Sequence, residues 1–393
     1  MTCVIFGDAF TFPEGDASTN RVFAYARGFR ENGTDVHIVC FRNSYMDTPS
    51  GNTEGIKFYH PYNRTARSMS FFQRRFDKIS KYFKTIALFR EFRKQEDISF
   101  ILCYTKAVKT QLFAFLISRF FGSRLILERS EHPLKDYGSK VGEVVFGRLK
   151  VFMEIWFTDY IFCISDYLID FYRHRGARES RLFKVPSIVD NTRFRKSYDR
   201  PVKSKYICYA GSLTKLKDGV DILIHSFSRI AGKYPDISLV LVGKADTTED
   251  EHYFRDLVTK LELNGRVVFT GKLPRNEIPA YLCNAEVLAL ARPRSMVADA
   301  GFPSKLTEYL AAGRPVVVTR VGEIPAYLTD NENAFLSEPD SAGAFAERLD
   351  FVLSSYQLAA EAGFKAKELT STVFNNNYQA MRILAFLESN LKR

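Results

Sequence analysis

The feature that most constrains this chain is a rhythm of short apolar runs, each leading into a helix-like stretch, which occurs twice along its length. In the first half the runs are "CVIF", "VHIVCF", "FILCY", "RLILE", "YIFCI" and "LFKV", all of four to six residues and none with a polar–apolar alternation. Runs of this kind suit strands buried on both faces, as in a parallel sheet covered by helices on each side. The stretches "STNRVFAYARGFREN", with Gly33 just past its end, and "KTQLFAFLISRFF" have the spacing of amphipathic helices. Alternation of this sort predicts βαβ units.

The rhythm fails over Val189–Lys205, "VDNTRFRKSYDRPVKSK", where charge and Pro201 replace the apolar period. That segment reads as a linker. Alternation then restarts with "YICYA", "GVDILIHSFSRIAGKY", "SLVLVG", a helix over 251–261, "VVFTG", "NEIPAYL", "EVLALA" and "PVVVT". A chain of 393 residues is also too long for one ordinary core. The expected organisation is an α/β protein with domains at 1–195 and 196–372 and a closing helix over 373–393 that packs back on the first. Ligands of such sheets bind beyond the carboxyl ends of the strands, so a cleft between the domains is the expected site.

Several function classes recede on composition. The six cysteines sit singly in apolar runs with no C-x-x-C pair, which favours buried thiols over a metal or redox site. The opening "MTCVIFGD" reads as a strand, without the basic flank of a leader peptide. The most membrane-like stretch, "VFMEIWFTDYIFCISDYLI", is broken by Glu154, Asp159 and Asp166, so it reads as a helix and a buried strand. A cytoplasmic location, peripheral at the inner face of a membrane, is the expectation. Net charge is +11, of which residues 1–195 supply +10. Arg64–Lys94 alone holds ten basic and two acidic residues. On a helical reading of Ser70–Lys94, Phe72, Phe76, Ile79, Phe83 and Ile86 form a buried stripe, and Arg74, Arg75, Lys78, Lys81 and Lys84 mostly take the other faces. A basic face of this kind suits anionic lipid headgroups.

Four stretches could hold chemistry. In "YAGSLTKLKDGVDILI", Gly211 ends a strand and lets backbone approach a ligand, while Lys215 and Lys217 could neutralise phosphate. "GDAFTFPEGDASTNR" is a long strand-to-helix loop that offers Gly15 and Asp16 to a ligand, with Ser18 as helix cap. "LERSEHPL" crowds Glu128, Arg129, Glu131 and His132 at a strand's carboxyl end. The most telling is "AGFPSKLTEYLAAGRPVV". Pro303 suits the first helical position, and Gly301 clears bulk so that the amides of Phe302, Ser304 and Lys305 can face an anion. Glu308 lies one turn further in, where a carboxylate can accept from a ribose diol.

In this order and spacing, Tyr206 to Asp340 resembles the retaining glycosyltransferases of family 4, which have the GT-B fold of two Rossmann-like domains facing a cleft. The first half is similar more loosely, through "FPEGDASTNRVFAYARGFRENGTDVHIVC" and "CISDYLIDFYRHRGA". The resemblance implies transfer of a sugar from a UDP- or GDP-linked donor to a glycan or lipid-linked acceptor hydroxyl, in cell-envelope or surface polysaccharide biosynthesis. Neither a metal nor a further cofactor is implied. It puts the catalytic roles on His132, Lys217 and Glu308. Donor contacts fall on Gly15, Gly211, Ser212, Gly271, Lys272, Arg292, Gly301, Phe302, Pro303, Ser304 and Lys305. Two positions depart from the family pattern. Ala300 stands where the first glutamate of an E-x7-E pair is usual, leaving Asp299, Arg292 or Arg294 to meet the sugar, and Ser212 stands where a basic residue is usual. A nucleotide-sugar epimerase on the same fold and a basic nucleic-acid-binding protein are the competing readings.

Overall fold

The computed structural model describes residues 1–134 and 141–391. It divides into two compact units, Met1–Ile188 with Asn376–Arg393, and Val189–Asn375. In the first, the strands are β1 (Thr2–Gly7), β2 (Asp35–Cys40), β3 (Ser50–Thr53), β4 (Ile56–Tyr59), β5 (Ile98–Cys103), β6 (Arg124–Arg129), β7 (Tyr160–Cys163) and β8 (Leu182–Lys184). The helices between them are α1 (Ala17–Glu31), α2 (Phe71–Gln95), α3 (Val108–Phe121), α4 (Val141–Trp156) and α5 (Asp166–Arg173). Sheet order is β3-β4-β2-β1-β5-β6-β7-β8, parallel except for the β3–β4 hairpin.

Alternation of side chains along β1 sends Cys3 and Ile5 into one core and Val4 and Phe6 into the other. The Val4 side holds Phe89 and Phe92 of α2 with Ala114, Ile117 and Phe121 of α3. On the Cys3 side, the core takes Phe29 of α1 together with Ala380, Ile383, Leu384 and Leu387 from the end of the chain. Both faces are covered, which is why the strands read as continuous apolar runs.

The second unit has β9 (Lys205–Ala210), α6 (Lys215–Asp218), α7 (Val220–Ile230), β10 (Ile237–Val242), α8 (Thr248–Lys260), β11 (Val267–Gly271) and α9 (Ile278–Cys283). It continues through β12 (Val287–Leu290), α10 (Met296–Asp299), α11 (Ser304–Ala312), β13 (Val316–Thr319), α12 (Ile324–Tyr327), β14 (Phe335–Ser337), α13 (Ala342–Ser354) and α14 (Tyr356–Glu368). The six strands are parallel in the order β11-β10-β9-β12-β13-β14. From β9 the chain builds outward one way, then crosses to β12 on the other side. The switch point therefore lies between the carboxyl ends of β9 and β12.

Two boundaries and two short elements depart from the sequence expectations. The division falls after Ile188 rather than residue 195, because the Val189 amide donates to the Phe374 carbonyl at 2.9 Å and Val189 bridges Asn375. Phe374 packs on Phe302 and Tyr327 in the second unit, so the returning helix α15 (Asn376–Leu391) begins after residue 375 rather than 372. Residues 392 and 393 lie outside the described residues. The hairpin β3–β4 and the three-residue β14 were not expected, β3 being polar and β4 and β14 too short for an apolar run to announce them.

The stripes of α2 are reversed. Phe72, Phe76, Ile79 and Phe83 are exposed, while Asp77, Lys81, Thr85, Phe89 and Phe92 are buried. The inner polar groups are each satisfied. Asp77 is paired with Arg64, and the Thr85 hydroxyl donates to the Lys81 carbonyl at 2.7 Å. Lys81 Nζ donates to the Phe41 carbonyl at 3.0 Å and to Asn43 Oδ1 at 2.7 Å, lying 3.9 Å over the Phe41 ring. Burial pulls the Lys81 amine down to about 8.

Candidate active site

The donor-side candidates gather around the switch point of the second sheet. Gly211 follows β9, and its amide donates to the Val242 carbonyl at 2.9 Å. Gly243 follows β10 and donates to the Gly271 carbonyl at 3.0 Å, so three strand ends are tied side by side. Gly211 has φ of +154°, and a Cβ there would lie 2.4 Å from Lys305 Nζ. A side chain at 211 is thus refused both by the backbone and by the lysine stretched across the turn.

Lys305 enters from the second residue of α11. Its Nζ donates to Asp218 Oδ2 at 2.7 Å and to Tyr209 Oη at 2.8 Å. Tyr209 Oη in turn donates to the Ser212 carbonyl at 2.6 Å, which shapes the turn from beneath. Burial lowers the Lys305 amine, with Asp218 opposing. Burial also raises the Asp218 carboxyl, but Lys305, with Arg292 and Lys217 behind it, outweighs that and holds it below the ordinary carboxylate value. The second Asp218 oxygen, Oδ1, is buried without a hydrogen-bond partner.

Helix α11 begins one residue later than the sequence suggests. Pro303 occupies the cap, with φ −65° and ψ 120°, and Ser304 is the first helical residue. Proline has no amide donor to offer and fixes the entry direction, while the first-turn amides after it have no acceptor inside the helix. Gly301 and Phe302 are buried, the Gly301 amide donating to the Ala298 carbonyl and the Phe302 ring packing on Tyr327 and Phe374. Both support the turn from below. Gly313 closes the helix at φ +69° before β13.

Glu308 is half-buried on α11 and is already partnered. Arg193 Nη1 donates to its Oε1 at 2.7 Å, and Arg193 Nη2 is fixed on the Arg275 carbonyl at 2.6 Å. Arg193 sits in the stretch read as linker. Ser212 is exposed on the Gly211 turn, Lys217 on α6, and Lys272 just after β11. Arg292 is buried after β12, with Nη2 donating to the Val297 carbonyl at 2.9 Å.

His132 and Gly15 belong to the first unit. His132 lines a small pocket with Tyr104, Thr105, Lys106, Ser130 and Lys150. Its ring packs edge-on to Phe171 at 4.7 Å, and its Nδ1 accepts from the Leu134 amide at 3.2 Å. That acceptor role puts the proton of the neutral ring on Nε2. Burial, then the Arg175 charge, lowers its pKa. The neighbouring Glu128 and Arg129 are structural. Glu128 takes Arg21 at 2.8 Å and Tyr25 at 2.6 Å, and Arg129 takes Glu154 at 2.6 Å, all buried. Gly15 packs where a Cβ would meet Thr19 Oγ1 at 2.1 Å. Ser18 is not the cap of α1; Asp16 is, without a side-chain cap bond. Among the described residues no three His, Cys, Asp or Glu side chains group as a metal site.

A glycine turn, a cation and a helix amino end thus meet at the switch point of a parallel sheet, where sheets of this kind take their ligands. Residues 190–369 match the family model described as Glycosyl transferases group 1. The matched stretch lies within the second unit, Val189–Asn375, and spans nearly all of it. A putative glycosyltransferase of Bacillus subtilis, YtcC, is 27% identical over 50% of this chain and 48% of its own length. D-inositol 3-phosphate glycosyltransferase of Corynebacterium efficiens is 25% identical over 51% of this chain and 49% of its own. The chain spans about half the length of the curated relatives it matches. Anabaena HepE, solved with UDP-glucose, superimposes with a TM-score of 0.72 at 16% identity, over 98% of this chain and 99% of that one. At that identity the likeness is one of fold, and the fold is GT-B.

Lys305 was expected only as a backbone donor, and Asp218, Tyr209 and Arg193 were not expected at all. Asp218 directly follows Lys217 and Arg193 lies in a charged linker, so neither has a local pattern that marks it.

Proposed function

We propose that the chain is a retaining glycosyltransferase that moves a sugar from a nucleotide-sugar to an acceptor hydroxyl. The observation behind this is the cluster at Gly211, where Lys305, Asp218 and Tyr209 meet the amino end of α11. Diphosphate would lie on the amides of Ser304 and Lys305, with Lys305 and Lys217 supplying positive charge as the leaving group develops. Lys305 suits that task because Asp218 keeps it oriented before any ligand arrives. Glu308, steadied by Arg193, would accept from the ribose hydroxyls, and Gly271 and Lys272 would border the base. Arg292 and the 299–301 turn lie nearest the position left by the usual glutamate, and His132 would stand on the acceptor side. A uridine donor is favoured by the UDP-glucose held by Anabaena HepE. The acceptor belongs to the class of cell-envelope or surface glycans and glycolipids, in keeping with the basic, apolar exterior of the first unit.

The test is thermal denaturation with UDP, GDP, ADP and CMP, then with their sugars. A ligand at a hundredfold excess over its Kd should add about 2.7 kcal/mol to stability. Lys217→Ala and Glu308→Ala should each reduce that gain; if both leave it intact, the donor site is misplaced. Product anomers read by NMR decide retention, and epimerised sugar from donor alone would move the protein to the epimerase reading.

A further inference from the structure

The exposed aromatic stripe of α2 does not stand alone. Phe72, Phe76, Ile79 and Phe83 follow one another at steps of four, three and four, and all are more than half exposed. Helix α4 repeats the spacing with Val145, Leu149, Phe152 and Trp156, again all more than half exposed. Between these helices lies α3, with Leu116 and Phe120 exposed at 64% and 65%. The three are neighbours within one unit. Tyr82 of α2 meets Phe113 of α3 at 4.7 Å, and Gln111 of α3 donates to the Met153 carbonyl of α4 at 3.3 Å. Met69, at 95% exposure, extends the face ahead of α2. An apolar surface of this extent is not one that water tolerates without a partner.

Its charge is one-sided. Arg75, Lys78 and Arg148 are exposed among these aromatics. Over Phe71–Lys84, the whole of α3 and Val144–Trp156, the acidic side chains are Asp77 and Glu154 alone. Both are buried, Asp77 with Arg64 and Glu154 with Arg129. The outer faces of these stretches are thus apolar and cationic, with no anion showing. Among the described residues no helix is long and apolar enough to cross a membrane.

We propose that the outer faces of α2, α3 and α4 form a docking surface for an anionic lipid bilayer, with the aromatic side chains inserted and the basic ones at the headgroups. A helix lying in the interface has this division, apolar below and cationic at the rim. Insertion, rather than headgroup attraction alone, follows from the aromatics facing out. Binding therefore has a salt-sensitive part from Arg75 and Lys78 and a salt-resistant part from the rings. The inference does not depend on the glycosyltransferase reading, since lipid binding needs no donor.

Trp156 is the chain's single tryptophan and lies on the stripe, so the protein carries its own reporter. Full-length protein is mixed with vesicles of phosphatidylcholine alone and of phosphatidylcholine with phosphatidylglycerol. With the anionic vesicles, Trp156 emission should shift to the blue, be quenched by brominated acyl chains, and stay partly quenched in high salt. The double variant Phe76→Ser/Phe83→Ser should cosediment about tenfold less, with an unchanged melting temperature. Arg75→Gln/Lys78→Gln should weaken binding at low salt only. Absence of bromine quenching in the wild type overturns the proposal. So does a wild-type dimer in sedimentation equilibrium that the phenylalanine variant dissolves, which would make this face a contact between two copies of the chain. Nucleotide-induced stabilisation reads the donor site separately in each case.

Discussion

Lys305 and Asp218 hold one another at the floor of the Gly211 turn, 87 residues apart in sequence. Asp218 is 2% exposed and Lys305 16%, so the pair lies largely out of water and the loss of one partner strands the other. Asp218→Ala should destabilise the second unit by about 3 kcal/mol in urea denaturation and reduce nucleotide binding with it. Because the folded carboxyl titrates below its ordinary value of 3.8, this stabilisation is present above that value and is lost as pH falls through the folded one. His132 contributes an acid loss of the same sign at higher pH. Its folded pKa lies below 6.5, so under that pH the unfolded chain binds the extra proton first and stability drops as pH falls through the window between the two values. His37 and His60, lowered by burial, act in the same direction. The melting temperature should therefore fall between neutral and mildly acid pH, and His60→Gln should flatten that fall. A melting temperature indifferent to pH in that range would contradict these burials.

At the scale of the element, α2 shows why periodicity alone can assign a helix and misplace its faces. Both stripes have helical spacing: one of Phe72, Phe76, Ile79 and Phe83, the other of Asp77, Lys81, Thr85, Phe89 and Phe92. Apolar character favours burying the first. The fold buries the second because Phe41 and Asn43 receive the Lys81 amine, Arg64 receives Asp77, and Phe92 stacks on His37 at 4.1 Å. Phe92→Ala should then cost about 3 kcal/mol, whereas Phe76→Ala should stay within about 0.5 kcal/mol. Equal costs in denaturation would restore the reversed assignment. For α11 the sequence was more legible. Its glycine stop and its proline entry follow from local rules, while the proline's place, cap rather than first helical residue, and the Arg193 partner of Glu308 needed the structure.

At the scale of the whole molecule, the end of the chain completes the first unit. Ala380, Ile383, Leu384 and Leu387 lie in the same core as Ile5 and Phe29. Gly28 of α1 lies against α15 so closely that a Cβ would come 2.4 Å from the Asn376 carbonyl. Gly28→Ala should cost about 1–3 kcal/mol by forcing α15 away. A chain ending at Asn375 should expose that core and bind a hydrophobic dye; a fully cooperative, unweakened first unit in that truncation would show that the helix is dispensable.

The sequence by itself determined the alternating elements, the parallel character of both sheets and the glycine turn and proline-led helix of the second unit. Each follows from signals within a few residues, namely apolar runs, helical spacing, glycine and proline. Tertiary structure alone decided which face α2 turns to water, that Lys305 rather than Lys217 lies over Gly211, and that Glu308 is held by Arg193 from 115 residues away. Those outcomes depend on partners brought together only by folding. A charge is buried where a distant group can satisfy it, and an aromatic is left exposed where the inner positions are already filled.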